Sequence, residues 1–358
     1  MFPTTALSKL LGIQFPIIQA PMAGAVNGPD LIAAVSNAGG LGTFAGAMLS
    51  PDAIRQGATE VRKRTAKPFG VNLFVLDSPN PDPKQVARGL ELLQPFRDAL
   101  GLPHGTPPEK YCEDPRAQFE ALLDASPAVA SFTFGILTRE QVAALKSRRS
   151  VVIGTATTVA EAEAWEAVGA DAICAQGSEA GAHRGTFLGD FESALIGTIT
   201  LVPQIVDAVR IPVLAAGGIM DGRGIAAALM LGAAGVQLGT AFLTCPESGL
   251  STPWRAALLH ARGDQTRVSR VYSGKPARGI INEFMQRMEP VKGEIPPYPV
   301  QNALSGPIRR AAAQANRQEF MSLWAGQGVS MCRELPAAEL VASLIEETKA
   351  ALRSTAVS

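Results

Sequence analysis

A glycine-rich loop at positions 176–185 contains the side chain best suited to proton transfer. The loop reads QGSEAGAHRG and includes His183, one of only three histidines in the chain. An imidazole titrates close to neutral pH, so a loop histidine at a catalytic face suits acid–base chemistry. Taken alone, His183 is equally well explained as a surface residue without a role. Arg184 suits an anionic substrate, a phosphate or a nearby carboxylate, and Glu179 is either a loop anchor or a solvated acid.

Two clusters of small residues end consecutive apolar runs further along the chain. The first is AAGGI at Ala215–Ile219, and the second is QLGTA at Gln237–Ala241. Glycine has no Cβ, so backbone N–H groups there approach a phosphate closely, and a following helix N-terminus adds a favourable dipole. Each cluster alone is equally consistent with a tight turn. The pair predicts a phosphate site, to which Thr240 would add a hydroxyl.

Two further side chains lie at or near the ends of earlier apolar runs. Met22, within QAPMAG, is polarisable and packs well on aromatic faces, although ordinary core packing explains a lone methionine better. Asn72, within GVNLF, needs a hydrogen-bond partner if it is buried. That partner is either a heterocyclic ligand or a backbone group, and the backbone group is slightly favoured.

Eight short apolar runs alternate with amphipathic stretches and would position these residues. Runs of this kind are typical of parallel strands buried on both faces. We predict strands at Phe15–Met22, Gly40–Gly46, Phe69–Val75, Val129–Gly135, Ser150–Thr157, Ala172–Gln176, Ile211–Ile219 and Gly235–Thr244. Helices are expected at Asp30–Ala38, Pro51–Thr65, Arg139–Ser147, Val159–Val168, Leu201–Val209 and Gly222–Leu231. The alternation predicts an α/β fold, a (β/α)8 TIM barrel, with a doubly wound open sheet as the alternative.

No flexible linker is visible, and we predict one continuous domain in three parts. Residues 1–246 would form the barrel, residues 247–329 a helical cap inserted after the eighth strand, and residues 330–358 a C-terminal segment whose helix, Pro336–Leu352, closes the barrel. One or two helices are expected within Asp77–Asp124, and an extended loop at Gly293–Pro299. In the cap, Lys292 and Tyr298 either shape an anionic substrate pocket or are ordinary surface residues, and the second interpretation is favoured.

Charge and cysteine content argue against several classes of function. Lys plus Arg equals Asp plus Glu, at 32 each, which gives no electrostatic case for nucleic acid or for an anionic membrane. The longest apolar stretch, Ile225–Val236, is too short to span a bilayer, and the N-terminus lacks the pattern of a secretory signal. The four cysteines are far apart, which argues against a zinc site or a disulfide framework. We therefore expect a cytoplasmic protein without a bound metal.

Together, the motifs resemble the nitronate monooxygenase family, formerly called 2-nitropropane dioxygenases, over nearly the full length. The order and spacing of seven motifs carry the resemblance: QAPMAG at Gln19–Gly24, GGLGT at Gly39–Thr43, NLFV at Asn72–Val75, EAGAHRG at Glu179–Gly185, AAGGI at Ala215–Ile219, QLGTAFL at Gln237–Leu243 and SGKPARG at Ser273–Gly279. One departure is visible. The family loop usually reads EAGGH, and Ala182 stands here in place of the second glycine.

The resemblance implies a barrel that binds FMN without a covalent bond. It also implies oxidation of alkyl nitronates, such as propionate 3-nitronate, by molecular oxygen. His183 matches the catalytic loop histidine of the family. By the same resemblance, Met22, Asn72 and Gln176 would line the flavin ring. The ribityl phosphate or its approach would be contacted by Gly181, Gly217, Gly218, Gln237, Gly239 and Thr240.

The histidine loop does not separate this activity from a second class of enzyme. Enoyl-acyl carrier protein reductases of the same superfamily carry a very similar loop. An NAD(P)H-dependent flavin reductase acting on an enoyl thioester or a quinone is therefore the alternative, although no GxGxxG follows a strand. A third, non-redox interpretation is a phosphate-binding barrel or a ligand-binding module. The sequence leaves the physiological substrate and the oligomeric state open.

Overall fold

The structure, a computed structural model, describes residues 2–24, 26 and 28–355. The predicted closing segment extends beyond this part of the chain by its last three residues, and residues 1, 25 and 27 of the predicted barrel segment also lie outside it. Within the described residues, no helix is both long enough and apolar enough to cross a membrane.

Eight parallel strands form the central sheet. They are β1 (Ile17–Gln19), β2 (Gly42–Ala45), β3 (Phe69–Phe74), β4 (Val129–Thr133), β5 (Val151–Ala156), β6 (Ala172–Gln176), β8 (Val213–Ala216) and β9 (Gly235–Leu238). Each is hydrogen-bonded to its neighbours in the order β1, β9, β8, β6, β5, β4, β3, β2. The ring is completed where Ile18 pairs with Leu41, just before β2. The predicted barrel is therefore confirmed, and the open-sheet alternative is wrong.

Helices surround the barrel near the predicted places, and the first of them, at the N-terminus, was not predicted. They are α1 (Ala6–Leu11), α2 (Pro29–Asn37), α3 (Pro51–Arg64), α4 (Pro83–Ala99), α5 (Pro115–Ala125), α6 (Arg139–Ser147), α7 (Val159–Ala167), α8 (Thr198–Ala208) and α9 (Gly222–Met230). Local capping fixes several of their starts. Thr138 and Gln141 form a reciprocal capping box on α6, and the Asp221 carboxylate accepts the first free amides of α9.

The segment after β9 is more than a helical cap. Its helices are α10 (Thr240–Leu243), α11 (Thr252–His260), α12 (Glu283–Met288) and α13 (Val300–Gln314). The segment also contains two strands that were not predicted, β10 (Thr266–Ser269) and β11 (Ala277–Ile280). They form a small antiparallel sheet with β7 (Ala182–His183), a strand within the histidine loop. The predicted extended loop at Gly293–Pro299 is wrong in its first two residues, which end a 3-10 helix, Glu289–Glu294.

The closing helix is α14 (Ala337–Thr355), which packs against α9 and α2. Two main apolar cores result. One lies between the barrel strands and the outer helices. The other lies under the cap, where Leu93 and Phe96 of α4 join Phe284 and Leu304. Because the cap follows β9 directly in the chain, its residues cover the C-terminal ends of the barrel strands.

Candidate active site

A cavity of about 540 Å³ lies at the C-terminal ends of the barrel strands. This is the end at which barrel enzymes place their chemistry. The structure brings together at this cavity every residue nominated as catalytic or cofactor-binding by the family resemblance: Met22, Asn72, Gln176, Gly181, His183, Gly217, Gly218, Gln237, Gly239 and Thr240. Their individual roles as flavin contacts stay predictions.

Free backbone amides line the part of the cavity beside β8 and β9. Gly217 and Gly218 have φ angles of 122° and 71°, a region that favours glycine. Among the described residues, no protein acceptor is hydrogen-bonded to the amides of Gly218, Gly239 and Thr240. A Cβ placed on Gly239 would meet only the Ala20 Cβ, at 3.5 Å, so the remaining space above it belongs to the cavity. Three unsatisfied donors at two adjacent strand ends fit a terminal phosphate.

Thr240 ties this amide cluster to the cap. Its Oγ1 accepts a hydrogen bond from the Gly326 amide at 2.9 Å, which leaves the hydroxyl proton available to a ligand. Gly181 permits the same close approach, because a Cβ there would lie 2.6 Å from the Gly326 nitrogen.

Three amide side chains were nominated for the cofactor, Asn72 and Gln176 for the ring and Gln237 for the phosphate or its approach, and they differ in which polar atoms remain free. Asn72 Nδ2 donates to the Ser131 carbonyl and hydroxyl, each at 3.1 Å, and Asn72 Oδ1 accepts from no described residue. The Gln237 side chain makes no hydrogen bond within the described part of the chain. Both polar atoms of the Gln176 side chain, by contrast, are hydrogen-bonded to the histidine loop. Nε2 donates to the His183 carbonyl, and Oε1 accepts from the Gly185 amide. Asn72 and Gln237 therefore have free polar atoms for a ligand in the cavity.

Glu179 and Arg184 hold the histidine loop in place. The Glu179 carboxylate accepts from the Thr198 amide at 2.9 Å and from the Thr198 hydroxyl at 2.8 Å, which makes it a loop anchor. Arg184 is buried and donates to the backbone carbonyls of Gln176, Gly177 and Ala194. It makes no ion pair with a described carboxylate. Burial lowers the pKa of the Arg184 guanidinium to about 10.

His183 lies on β7 within a cluster of aromatic rings. The ring centroids of Phe134, Trp324 and Tyr298 lie 5.4, 5.4 and 5.7 Å from that of the imidazole. Nε2 lies 2.8 Å from the Ser273 hydroxyl oxygen. That hydroxyl also lies 3.1 Å from the Lys275 carbonyl, which accepts but never donates. The contact fits two arrangements: where Ser273 donates its one proton to the Lys275 carbonyl, Nε2 of His183 is the donor to Ser273 and Nδ1 carries the lone pair, and where Ser273 donates to Nε2, Nδ1 carries the proton.

The surroundings of His183 favour the neutral imidazole. Burial, reinforced by the positive charges of Arg309 and Lys275, lowers the pKa of His183 to about 3. The ring is half-buried, because part of its surface faces the cavity. At neutral pH, His183 therefore offers an accepting nitrogen and no charge.

Ala182, the departure from the family loop, has a left-handed backbone with φ = 59°. This conformation favours glycine and costs an L-residue roughly 1–2 kcal/mol. The β7–β11 pairing holds it there, since Ala182 is paired with Arg278 and His183 with Ala277. The side chain of Arg278 in turn donates twice to the Ser178 carbonyl.

Cap residues that the sequence did not nominate complete the cavity. Among them are Asn302, Arg309, Arg310 and Trp324, while Ser273 meets His183. Only Ser273 had a visible signal, the SGKPARG motif, which carried no role at that point. Lys292 is a surface residue paired with Glu289 at 2.9 Å, as expected.

The interpretation of Tyr298 as a surface residue is wrong. Its ring packs against Phe74, Phe134 and His183, with centroids 6.1, 5.3 and 5.7 Å away. Burial raises the pKa of its phenol well above the usual value. Tyr298 is therefore part of the aromatic wall around the histidine.

Comparison with known proteins agrees with this geometry. The family model described as nitronate monooxygenase matches residues 4–347. A probable nitronate monooxygenase from Staphylococcus haemolyticus (strain JCSC1435) is 44% identical over 354 residues, which is 98% of this chain and 99% of that protein.

Two solved structures are similar over nearly their whole length. A nitroalkane oxidase from Streptomyces ansochromogenes has a TM-score of 0.90 and 42% identity, covering 99% of this chain and 100% of that one. FabK from Thermotoga maritima has a TM-score of 0.77 and 29% identity, covering 98% of each chain. The chain therefore belongs to the nitronate monooxygenase family and is a flavin-dependent oxidoreductase.

Proposed function

We propose that the protein is an FMN-dependent nitronate monooxygenase that oxidises alkyl nitronates, such as propionate 3-nitronate, with molecular oxygen. The observation that carries the proposal is the charge of the cavity. Of the described residues that line it, none is Asp or Glu, whereas Arg309 and Arg310 are cationic. A nitronate is an anion, and such a cavity attracts it.

FMN is proposed as the flavin because the free amides suit one terminal phosphate. Gly218, Gly239 and Thr240 would hold that phosphate, with Gln237 at its approach, while Asn72 Oδ1, Gln176 and Met22 would face the ring. When bound, the flavin supplies electron acceptance, for which the protein side chains have no equivalent. Chromatography of the cofactor released on denaturation tests this assignment. Recovery of FAD, or of no flavin, would contradict it.

His183 and its neighbours would orient the substrate and handle any proton. A nitronate has already lost its carbon-bound proton, so the imidazole only has to position it. A neutral nitroalkane must lose that proton first, and the neutral imidazole of His183 has one nitrogen that would accept it. The rings of Phe134, Tyr298 and Trp324 exclude water on that side of the cavity.

The His183→Asn variant separates these roles by steady-state oxygen consumption, once its flavin content is shown to be intact. If His183 is a base, nitroalkane turnover falls by about 10²–10⁴-fold, and nitronate turnover is largely spared. Equal losses with both substrates would instead assign His183 to positioning. Little change with either would make it a bystander.

The reductase alternative is tested by mixing the holoenzyme anaerobically with a nitronate and, separately, with NADH. The proposal requires that the nitronate bleach the flavin absorbance rapidly and that NADH do so slowly or not at all. Rapid bleaching by NADH alone would replace the proposal with a flavin reductase.

A further inference from the structure

Arg309 presents an uncompensated positive charge to the cavity. It lies on α13, and its Nη2 donates to the carbonyl and to the Oδ1 of Asn302, both at 2.8 Å. Its Nε is buried without any hydrogen-bond partner, and no described carboxylate is paired with the guanidinium. Burial lowers the pKa of the guanidinium only to about 10, so it stays charged at neutral pH. An unpaired charge in such a position is costly unless an anion forms or binds beside it.

The guanidinium lies at the histidine end of the cavity. Because Nη2 reaches back to Asn302, in the first turn of α13, the charge lies beside the end of the helix that follows Tyr298. The Tyr298 ring centroid is 5.7 Å from that of His183. The charge of Arg309 also contributes to lowering the pKa of His183. Arg309 is therefore close to the place where a substrate held by His183 would react.

Two other cations near this end of the cavity are placed differently. Lys275 Nζ donates to the Thr186 carbonyl at 3.0 Å and lies 4.7 Å from the centroid of the Phe134 ring, and Lys275 is not among the described residues that line the cavity. Arg310 lines the cavity, but its side chain is exposed, so solvent screens its charge. Arg309 thus combines contact with the cavity and a poorly solvated charge.

A fixed charge accelerates most the step in which a charge of the opposite sign appears. When a nitronate gives an electron to the flavin, a negative charge that is already in the cavity only changes its place. Dioxygen, by contrast, arrives neutral, takes one electron from the reduced flavin and becomes superoxide, and no proton is transferred. This anion would form beside aromatic rings that exclude water, so the cation acts on it at a low local dielectric constant.

We infer that Arg309 is the catalytic residue of the oxygen half of the reaction, in which its guanidinium stabilises the superoxide anion formed when dioxygen takes up an electron in the cavity. This inference rests on the proposed function, because it concerns the second substrate of that reaction. Asn302 is a positioning residue for Arg309, since both of its oxygens hold Nη2.

The test measures how fast oxygen reoxidises the holoenzyme in the absence of any nitronate. The flavin is reduced anaerobically with light and EDTA, and the reduced protein is mixed with oxygen in a stopped-flow instrument. Arg309→Gln removes the charge and keeps a polar side chain, and it should lower the second-order rate constant of reoxidation about 10²-fold. Arg309→Lys keeps the charge and should stay within about tenfold of the wild-type protein. Anaerobic reduction of Arg309→Gln by a saturating nitronate should change by less than about threefold, because no net charge appears in that step.

Arg310→Gln is the matched variant, because it removes the same charge from an exposed side chain one position away. Its effect on reoxidation should stay below about threefold, since solvent screens that charge. Unchanged reoxidation in Arg309→Gln would overturn the inference, and so would a loss in Arg309→Lys as large as that in Arg309→Gln. An equal slowing of reduction and reoxidation, or loss of bound flavin, would also overturn it, because Arg309 would then serve the nitronate or the cofactor.

A binding measurement gives a readout that involves no turnover. Azide is a small anion with the charge of superoxide, and calorimetry on the oxidised holoenzyme measures its binding. Its affinity should be at least about tenfold weaker in Arg309→Gln and little changed in Arg310→Gln. If azide does not bind to the wild-type protein, the inference is overturned, whether or not Arg309→Gln folds. Because neither measurement uses a nitronate to reveal the role of Arg309, failure of nitronate oxidation alone would reject only the proposed function.

Discussion

Replacing His183 by asparagine should change how the stability of the protein depends on pH. The folded protein holds the imidazole pKa at about 3, against 6.5 for an unperturbed histidine. Below pH 6.5, the unfolded chain therefore binds a proton that the folded protein does not accept. The free energy of unfolding consequently falls as the pH drops from 6.5 towards 3, and this contribution is fully retained above 6.5.

The size of the effect follows from the same shift. Each pH unit between the two pKa values is worth about 1.4 kcal/mol, so moving from pH 8 to pH 5 costs the wild-type protein about 2 kcal/mol through His183 alone. His183→Asn has no such proton to bind. Its unfolding free energy should therefore decrease by about 2 kcal/mol less over the same interval.

Urea unfolding at pH 5, 6 and 8 measures this difference, with flavin at one saturating concentration because a bound ligand adds to stability. His260→Asn, the same substitution at an exposed histidine away from the cavity, is the matched control. Parallel curves for the wild-type and His183→Asn proteins would refute the reasoning, because they would show that the imidazole ionises as readily in the folded state as in the unfolded chain.

Three other substitutions test the site. Gly239→Asp should weaken flavin binding by at least about 100-fold, since it puts a carboxylate where a phosphate would lie. The control is Gly293→Asp, at a glycine with open space around it. Full flavin occupancy in Gly239→Asp would contradict the assignment. Ala182→Gly should raise the unfolding free energy by up to about 1 kcal/mol in urea titrations. The reason is that the left-handed strain at φ = 59° exceeds the entropic cost of glycine. A loss of stability would argue against that strain. Ser273→Ala should lower kcat about tenfold with little change in KM, because Nε2 of His183 loses the hydrogen-bond partner that sets its tautomer; unchanged kcat would show that the ring is held by its aromatic neighbours alone.

The barrel was predictable because its strands are buried on both faces and therefore read as unbroken apolar runs. The runs at Phe69–Val75 and Ala172–Gln176 match β3 and β6 to within a residue. The run at Gly235–Thr244 does not, because β9 ends at Leu238 and Thr240–Leu243 is a helical turn. The residues of that turn are as buried as those of β9. The apolar run therefore continues from the strand into the turn, and no change in periodicity marks the boundary.

The site was predictable only where it follows the barrel strands. The C-terminal ends of all strands in a parallel barrel lie at one face. His183 and Gly239 each follow a barrel strand, so both were expected at that face. Arg309 approaches from the cap, and its place depends on packing between segments far apart in the chain. Ser273 illustrates the limit, since its hydroxyl meets an imidazole 90 positions away and no local pattern encodes that contact.

The small sheet in which β11 pairs with both β10 and β7 has a consequence for recombining this protein with its relatives. The strand that holds His183 is hydrogen-bonded to the cap and not to a barrel strand. A chimera that exchanges only the cap would break this ladder and displace the histidine together with the exchanged surface. Crossovers that keep residues 182–280 from one parent should preserve the β7–β11 pairing. New substrate ranges are therefore more accessible through single substitutions on α13 than through exchange of the whole cap.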